Sequence, residues 1–174
     1  METNTEHELS AAKIGDSLSL QLSERNENRL ACAVLAQQAR TTLDIVSRDF
    51  DKHIFDTSEF YEAVKTLATS NRKARIRILI SDSEKVIKYG HRLLELARRL
   101  TSYIDIKVQG KSFKDFNESW LVADETAWLR QPHADRYEAE INFSDARRLR
   151  EVLKDFDTMW NEATHDQNLR RLSL

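Results

Sequence analysis

The chain has 174 residues, 40% of them hydrophobic and 32% charged, with a formal net charge of −2. That length suits one domain able to bury roughly two thirds of its unfolded surface, and no apolar run approaches the ~20 residues of a membrane span. The near-neutral charge excludes a histone-like polycation, and a single cysteine excludes an internal disulfide or a thiolate metal cluster.

Residues 1–22 read as a mobile N-terminal tail, although Leu18, Leu20 and Leu22 alternate as a short edge strand would. The acidic, core-less stretch Met1 to Gly15 is no signal peptide, so a reducing, cytoplasmic setting is expected. A domain over residues 23–163 follows, and 164–174 form a polar C-terminal tail. Ser23 is placed to cap a helix to about Arg40, with Leu30, Val34 and Leu35 inward and Cys32 as a buried thiol. Thr41 to Ser47 is a strand by its β-branched content. Asp56 with Glu59 forms a capping box for a helix that repeats Phe60, Val64 and Leu67 on one face.

Arg75 to Ile80 is the clearest strand and stops at Ser81-Asp82. A helix runs from there to about Leu100, with Gly90 inside it as a kink or late start. Tyr103 to Val108 is the third strand. The alternation of helix and strand up to this point favours a parallel sheet. Beyond it the strands are short and closely joined: Trp120 to Ala123, Ala127 to Arg130, and Tyr137 to Phe143, with Asp124-Glu125 at the first hairpin. Ser144 caps a last helix carrying Leu149, Leu153, Phe156 and Trp160. The fold class is α/β: a single domain with a mixed, mostly parallel sheet, β-α-β-α-β and then short antiparallel strands, covered by helices on both faces. Trp120 and Trp128 belong to its core.

With three glycines and one proline, no Gly-rich phosphate loop is present. There is also no His-Glu-x-x-His pair and no Gly-x-Ser-x-Gly elbow. His53 and His133 fall in loops, His91 in a basic helix start, and His7 and His165 in tails, so no metal or other cofactor is expected. Ligands of open α/β sheets sit beyond the carboxyl ends of parallel strands, which singles out Arg48, Asp49 and Asp82. Both aspartates are equally suited to ending strands or capping helices.

Asn117-Glu118-Ser119 and Asp124, with the order of strands before them, resemble the phospholipase D superfamily. That superfamily's motif is His-x-Lys, four residues, then Asp, at the start of a strand just after a βαβαβ unit. Asn117 stands at the His position, Ser119 at the Lys position and Asp124 at the Asp position. The resemblance runs from about Ser23 to Ala163, taking in Arg48-Asp49-Phe50, the Arg75 to Ser81 strand and the spacing of Phe156 and Trp160. The chain is also similar to a small bacterial family of unassigned function, through Gly90 to Leu100.

In the superfamily the His attacks phosphorus and the Lys neutralises the phosphoryl oxygens. Asn117 and Ser119 supply neither role, so the resemblance implies a half-domain without its chemistry. It also implies pairing of two such half-domains across their motif edges.

Binding is the function left open. From Arg72 to Arg99 nine Lys or Arg stand against three acids, and Arg48, Lys88, His91, Arg92, Arg98 and Arg99 are candidates to hold a phosphate or an acidic partner. Lys88, Arg92, Glu95 and Arg99 share one helix face; a merely solvated face, with Arg92 paired to Glu95, has the same pattern. The leading expectation is a non-catalytic phospholipase D-like module that binds a protein or phosphate-bearing partner, as a homodimer or otherwise. A residual phosphodiesterase or nuclease, with His91 or His133 as nucleophile and Arg48 stabilising charge, is the runner-up. A nucleic-acid-binding module using the basic helix face is the third.

Overall fold

A computed structural model describes residues 3–170. Seven strands form one sheet in the order β1-β7-β6-β5-β2-β3-β4. The strands are β1 (Ser19–Leu22), β2 (Thr42–Ser47), β3 (Arg75–Ile80), β4 (Ile104–Val108), β5 (Ser119–Ala123), β6 (Ala127–Gln131) and β7 (Ala139–Asn142). β2, β3 and β4 run parallel, while β5, β6, β7 and β1 add antiparallel strands on the other side of β2. The two halves of the sheet thus follow the change of pattern seen in the sequence near residue 110.

Alternation along each strand divides the core. Ile45, Ile78, Leu121, Leu129 and Ile141 face one layer, built from α1 (Asn4–Ala11), α2 (Arg25–Gln38), α3 (Lys52–Phe55), α4 (Ser58–Ser70) and α6 (Arg92–Arg99). Val46, Leu79, Trp120, Val122 and Trp128 face the other, closed by α7 (Ala146–Glu162) through Leu149, Phe156 and Met159. Helices cover both faces, and both tryptophans are buried, as the sequence implied.

Under α7 the sheet is polar at one point. Asp44, 1% exposed, accepts 2.7 Å from Arg77 Nε, and Arg77 Nη1 reaches Asp157 at 2.8 Å while lying 4.5 Å over the Phe156 ring. Burial works against the Arg77 charge, but the two carboxylates outweigh it and raise its pKa. This residue of the basic block is therefore a packing element.

Three local expectations are corrected. Residues 1–22 are not simply a tail: Thr3 and Glu6 form a capping box on α1, Leu9 is fully buried, and β1 pairs with β7. Leu18 and Leu20 pack partly buried beside it, so their alternation was the truer signal. The caps shift by a residue, from Ser23 to Glu24, from Asp56 to Thr57 and from Ser144 to Asp145. The helix after β3 is two helices, α5 (Glu84–Tyr89) and α6, because Gly90 takes φ 70° and His91 caps the second.

The C-terminal stretch includes α8 (Gln167–Arg170), which buries Leu169, and Thr164 bridges to Val108; the remainder of the expected tail, residues 171–174, lies outside the described residues. No helix among the described residues is long and apolar enough to cross a membrane.

Candidate functional site

Because β5 runs antiparallel to β2, with Trp120 opposite Val46, the start of β5 lies beside the end of β2. Asn117 and Ser119 consequently meet Ser47, Arg48 and Asp49 at one edge of the sheet. Backbone N–H groups of Ser81 and Asp82 donate 3.0 and 2.7 Å to the Arg48 carbonyl, which ties the ends of β2 and β3 together and fixes where Arg48 starts. Ser81 Oγ donates 2.8 Å to Gln109 Oε1 at the end of β4. The edge is thus a row of small polar groups with one guanidinium in it.

The three positions matched to the motif have different duties. Ser119 is buried, 5% exposed, and its Oγ donates 3.0 Å to the Val46 carbonyl. Its hydroxyl is thereby committed to the frame. Asn117 is exposed, and its Oδ1 accepts from Arg48 Nη1 at 3.5 Å. Asp124 sits at the far end of β5, in a hairpin where it and Glu125 both take φ 52°. Its carboxylate accepts the backbone N–H groups of Arg40, Thr41 and Thr42 at 2.8, 2.8 and 3.0 Å. A hairpin of two non-glycine residues in the left-handed region carries strain, and three charge-assisted bonds onto the start of β2 hold it there.

Of the other candidates, Asp49 pairs with Lys85 at 2.9 Å, raising the pKa of the exposed lysine. Asp82 accepts the Glu84 N–H at 3.0 Å and so does start a helix. Lys88 lies 5.2 Å from the Tyr89 ring.

The shared face of α6 comes apart. Arg92 Nε donates 2.8 Å to Asp56 and its Nη2 donates 2.7 Å to the Asp56 carbonyl. Burial pushes the Asp56 carboxyl up, but the Arg92 bond and nearby positive charge outweigh it and hold it low. Glu95 pairs with Arg98 at 2.6 Å, not with Arg92. Arg98 itself is spent on the Leu169 and Asn168 carbonyls, and Arg99 reaches the Tyr61 hydroxyl at 3.1 Å. The spacing holds only for Arg92, Glu95 and Arg99, since Lys88 lies on α5 beyond Gly90, and polar groups from distant elements, invisible to that spacing, take up the cations of α6. Arg48 has no carboxylate partner among the described residues.

His91 is the residue whose duty was least legible. It is 4% exposed, its ring stacks on Phe50 at 4.1 Å, and its Nδ1 accepts the Leu93 N–H at 3.2 Å. Burial depresses its pKa to about 4 despite the attraction of Asp56. It is a neutral capping histidine, not a free nucleophile. The glycine before it was the available signal, since Gly90 ends α5 and leaves position 91 to cap the next helix. Cys32 is buried as expected, and burial with the charge of Asp51 pushes its thiol up to about 12. No group of three or more His, Cys, Asp or Glu among the described residues is arranged to hold a metal.

The model of a family described as a domain of unknown function (DUF7931) matches residues 24–172. No curated protein matches the sequence. Among solved structures, NucT from Helicobacter pylori superposes with TM-score 0.59 at 13% identity, over 86% of this chain and 99% of that one. Nuc from Salmonella typhimurium, a phospholipase D family member, gives 0.58 at 12%, over 84% and 96%. TrmBL2, an archaeal chromatin protein described as showing a novel mode of DNA binding, gives 0.63 at 11%, over 88% of this chain. The chain spans 55% of that protein's length. At these identities the likeness is one of fold: a single α/β domain of the phospholipase D type.

Proposed function

The chain belongs to the DUF7931 family, and from its strand-end edge we propose that it is a non-catalytic phospholipase D-like module that binds a phosphate-bearing partner. The observation that carries this is the pairing of Arg48 with Asn117 beside a buried, committed Ser119. An attacking group must be free to leave its hydrogen bonds and form a bond to phosphorus, and neither an amide nor a hydroxyl bound to the Val46 carbonyl is prepared for that. Loss of a single oxyanion donor already costs about 10²–10³ in rate, so losing the nucleophile and the cation together leaves no measurable turnover.

What the edge retains is a guanidinium, which binds phosphate oxygens in bidentate fashion. Lys85 lies close by, its charge offset by Asp49 at 2.9 Å. The DNA binding described for TrmBL2 makes nucleic acid one class of partner to include. The near-neutral net charge argues for few phosphate contacts and a shallow salt dependence.

The test has two parts. Purified protein should not hydrolyse bis-p-nitrophenyl phosphate above blank, and inorganic phosphate and a labelled oligonucleotide should bind wild type and fail to bind Arg48→Glu. A turnover lost on His133→Ala would replace this function with a phosphodiesterase. Binding unchanged in Arg48→Glu would remove the phosphate site. Light scattering at rising concentration reads the homodimer that the superfamily resemblance implies, with a protein partner as the remaining alternative.

A further inference from the structure

The two large hydrophobic residues that stand exposed among the described residues, Ile87 at 40% and Tyr89 at 62%, both lie on the short α5 that follows β3. Tyr89 walls a cavity of about 300 Å³ at the carboxyl end of β2, with Asp49, Phe50, Lys52, Lys85 and His91. That volume is at the lower end of small-molecule sites.

Its frame is held under strain. Phe50 takes φ 53°, a conformation costly for a bulky side chain, and is clamped between the stacked His91 ring at 4.1 Å and Phe55 at 5.1 Å. Since His91 Nδ1 accepts the Leu93 N–H, the ring proton sits on Nε2. That N–H is buried and has no partner in hydrogen-bond geometry, although the Phe50 backbone is its neighbour. Two ammonium groups complete the lining, Lys85 against Asp49 and Lys52 on the Tyr89 carbonyl at 3.3 Å with Asp56 3.8 Å away.

From this set we propose that the cavity is a nucleotide site. A plain anion would gain little, because Asp49 and Asp51 offset Lys52 and Lys85 in the lining. A nucleotide uses both signs: the base stacks on the exposed Tyr89 ring, ribose hydroxyls donate to the carboxylates, and the phosphate takes the ammonium groups of Lys52 and Lys85. Lys88, 5.2 Å from the Tyr89 ring, adds a cation beside the base. The inference rests on the phosphate-bearing partner proposed above and makes it a nucleotide, either free or at the end of a single strand.

The experiment is calorimetric titration with adenosine monophosphate and with inorganic phosphate, and anisotropy of a labelled ten-residue oligothymidylate. Each is run on wild type, Tyr89→Ala, Tyr89→Phe, Lys85→Gln and Arg48→Glu. The monophosphate should bind more tightly than phosphate. Tyr89→Ala should weaken it about 5- to 150-fold, the effect of one stacked base, at an unchanged melting temperature, and Tyr89→Phe should retain it. Lys85→Gln should weaken both nucleotide ligands.

The relative affinities of monophosphate and oligomer identify which source the site takes. Equal binding of phosphate and monophosphate, or wild-type affinity in Tyr89→Ala, overturns the site. If ligands then still depend on Arg48, the edge reading stands alone. If the monophosphate depends on Tyr89 and not on Arg48, the cavity stands and the edge reading falls. If no ligand binds, both fall.

Discussion

Asp124 offers the sharpest test of how the frame is held. Replacing it with Ala removes the acceptor for three backbone N–H groups, those of Arg40, Thr41 and Thr42, and the link between the β5–β6 hairpin and the start of β2. A hydrogen bond to a charged group contributes about 1.5–3 kcal/mol. Two of these three are solvent-exposed, so water replaces much of what they lose, whereas the Thr42 N–H is partly buried and recovers less. An alanine also has no side-chain bond to offset its left-handed φ of 52°.

The expected loss is therefore about 2–4 kcal/mol, or a melting point roughly 5–12 °C lower for a chain of this size. Asp124→Asn keeps one acceptor oxygen and a residue that tolerates the left-handed region, and should lose about half as much. Thermal unfolding followed by circular dichroism measures both. If Asp124→Ala melts with wild type, or if the Asn variant is the worse of the two, the cradle carries no stability and the account given for the hairpin is wrong.

Phe156→Ala should cost about 3–5 kcal/mol by urea denaturation, because the ring is 2% exposed and underlies Arg77, while the half-buried Trp160 should cost less on the same change. His91 is neutral in the fold, with a pKa lowered from 6.5 to about 4. Its contribution is therefore complete above pH 6.5 and declines as pH falls toward 4, to a loss of about 3 kcal/mol. His91→Gln should flatten that part of the stability–pH curve, and an equal slope in both proteins would contradict it. Arg92→Glu should lower the melting point, since it puts a carboxylate against Asp56 at a contact now 2.8 Å long; an unchanged melting point would mark the clamp as negligible.

The parallel half of the fold was plain in the residues, because Arg75 to Ile80 and Thr42 to Ser47 are β-branched runs bounded by polar residues and caps. The antiparallel half was equally readable once Asp124-Glu125 was taken as a turn. What the pattern missed was long-range. β1 lies at the sheet edge because β7, some 120 residues later, offers it a partner; the alternation of Leu18, Leu20 and Leu22 hinted at a strand but not at where it pairs. Gly90 is the local case: marked in the sequence as a kink or late start, it takes φ 70° and divides the helix in two.

The candidate residues were legible in their positions and misleading in their charges. Topology put Arg48, Asp49 and Asp82 at the carboxyl ends of the strands, and they are there. The basic block, by contrast, counted nine cations along 28 residues without counting their partners: Asp44 and Asp157 for Arg77, Asp56 for Arg92, and the Leu169 carbonyl for Arg98. Those partners are 33 to 80 residues distant in the chain.

A local net charge is thus a poor measure of free charge in a sheet protein, where crossovers bring acids from other elements against it. The cations that matter for a ligand are those the fold leaves uncommitted. Here that criterion removes Arg92 and keeps Arg48. It also shifts attention from the face of α6 to the strand ends; the Tyr89 cavity beside them stands on other grounds, since strain, an unsatisfied buried donor and an exposed aromatic ring coincide there.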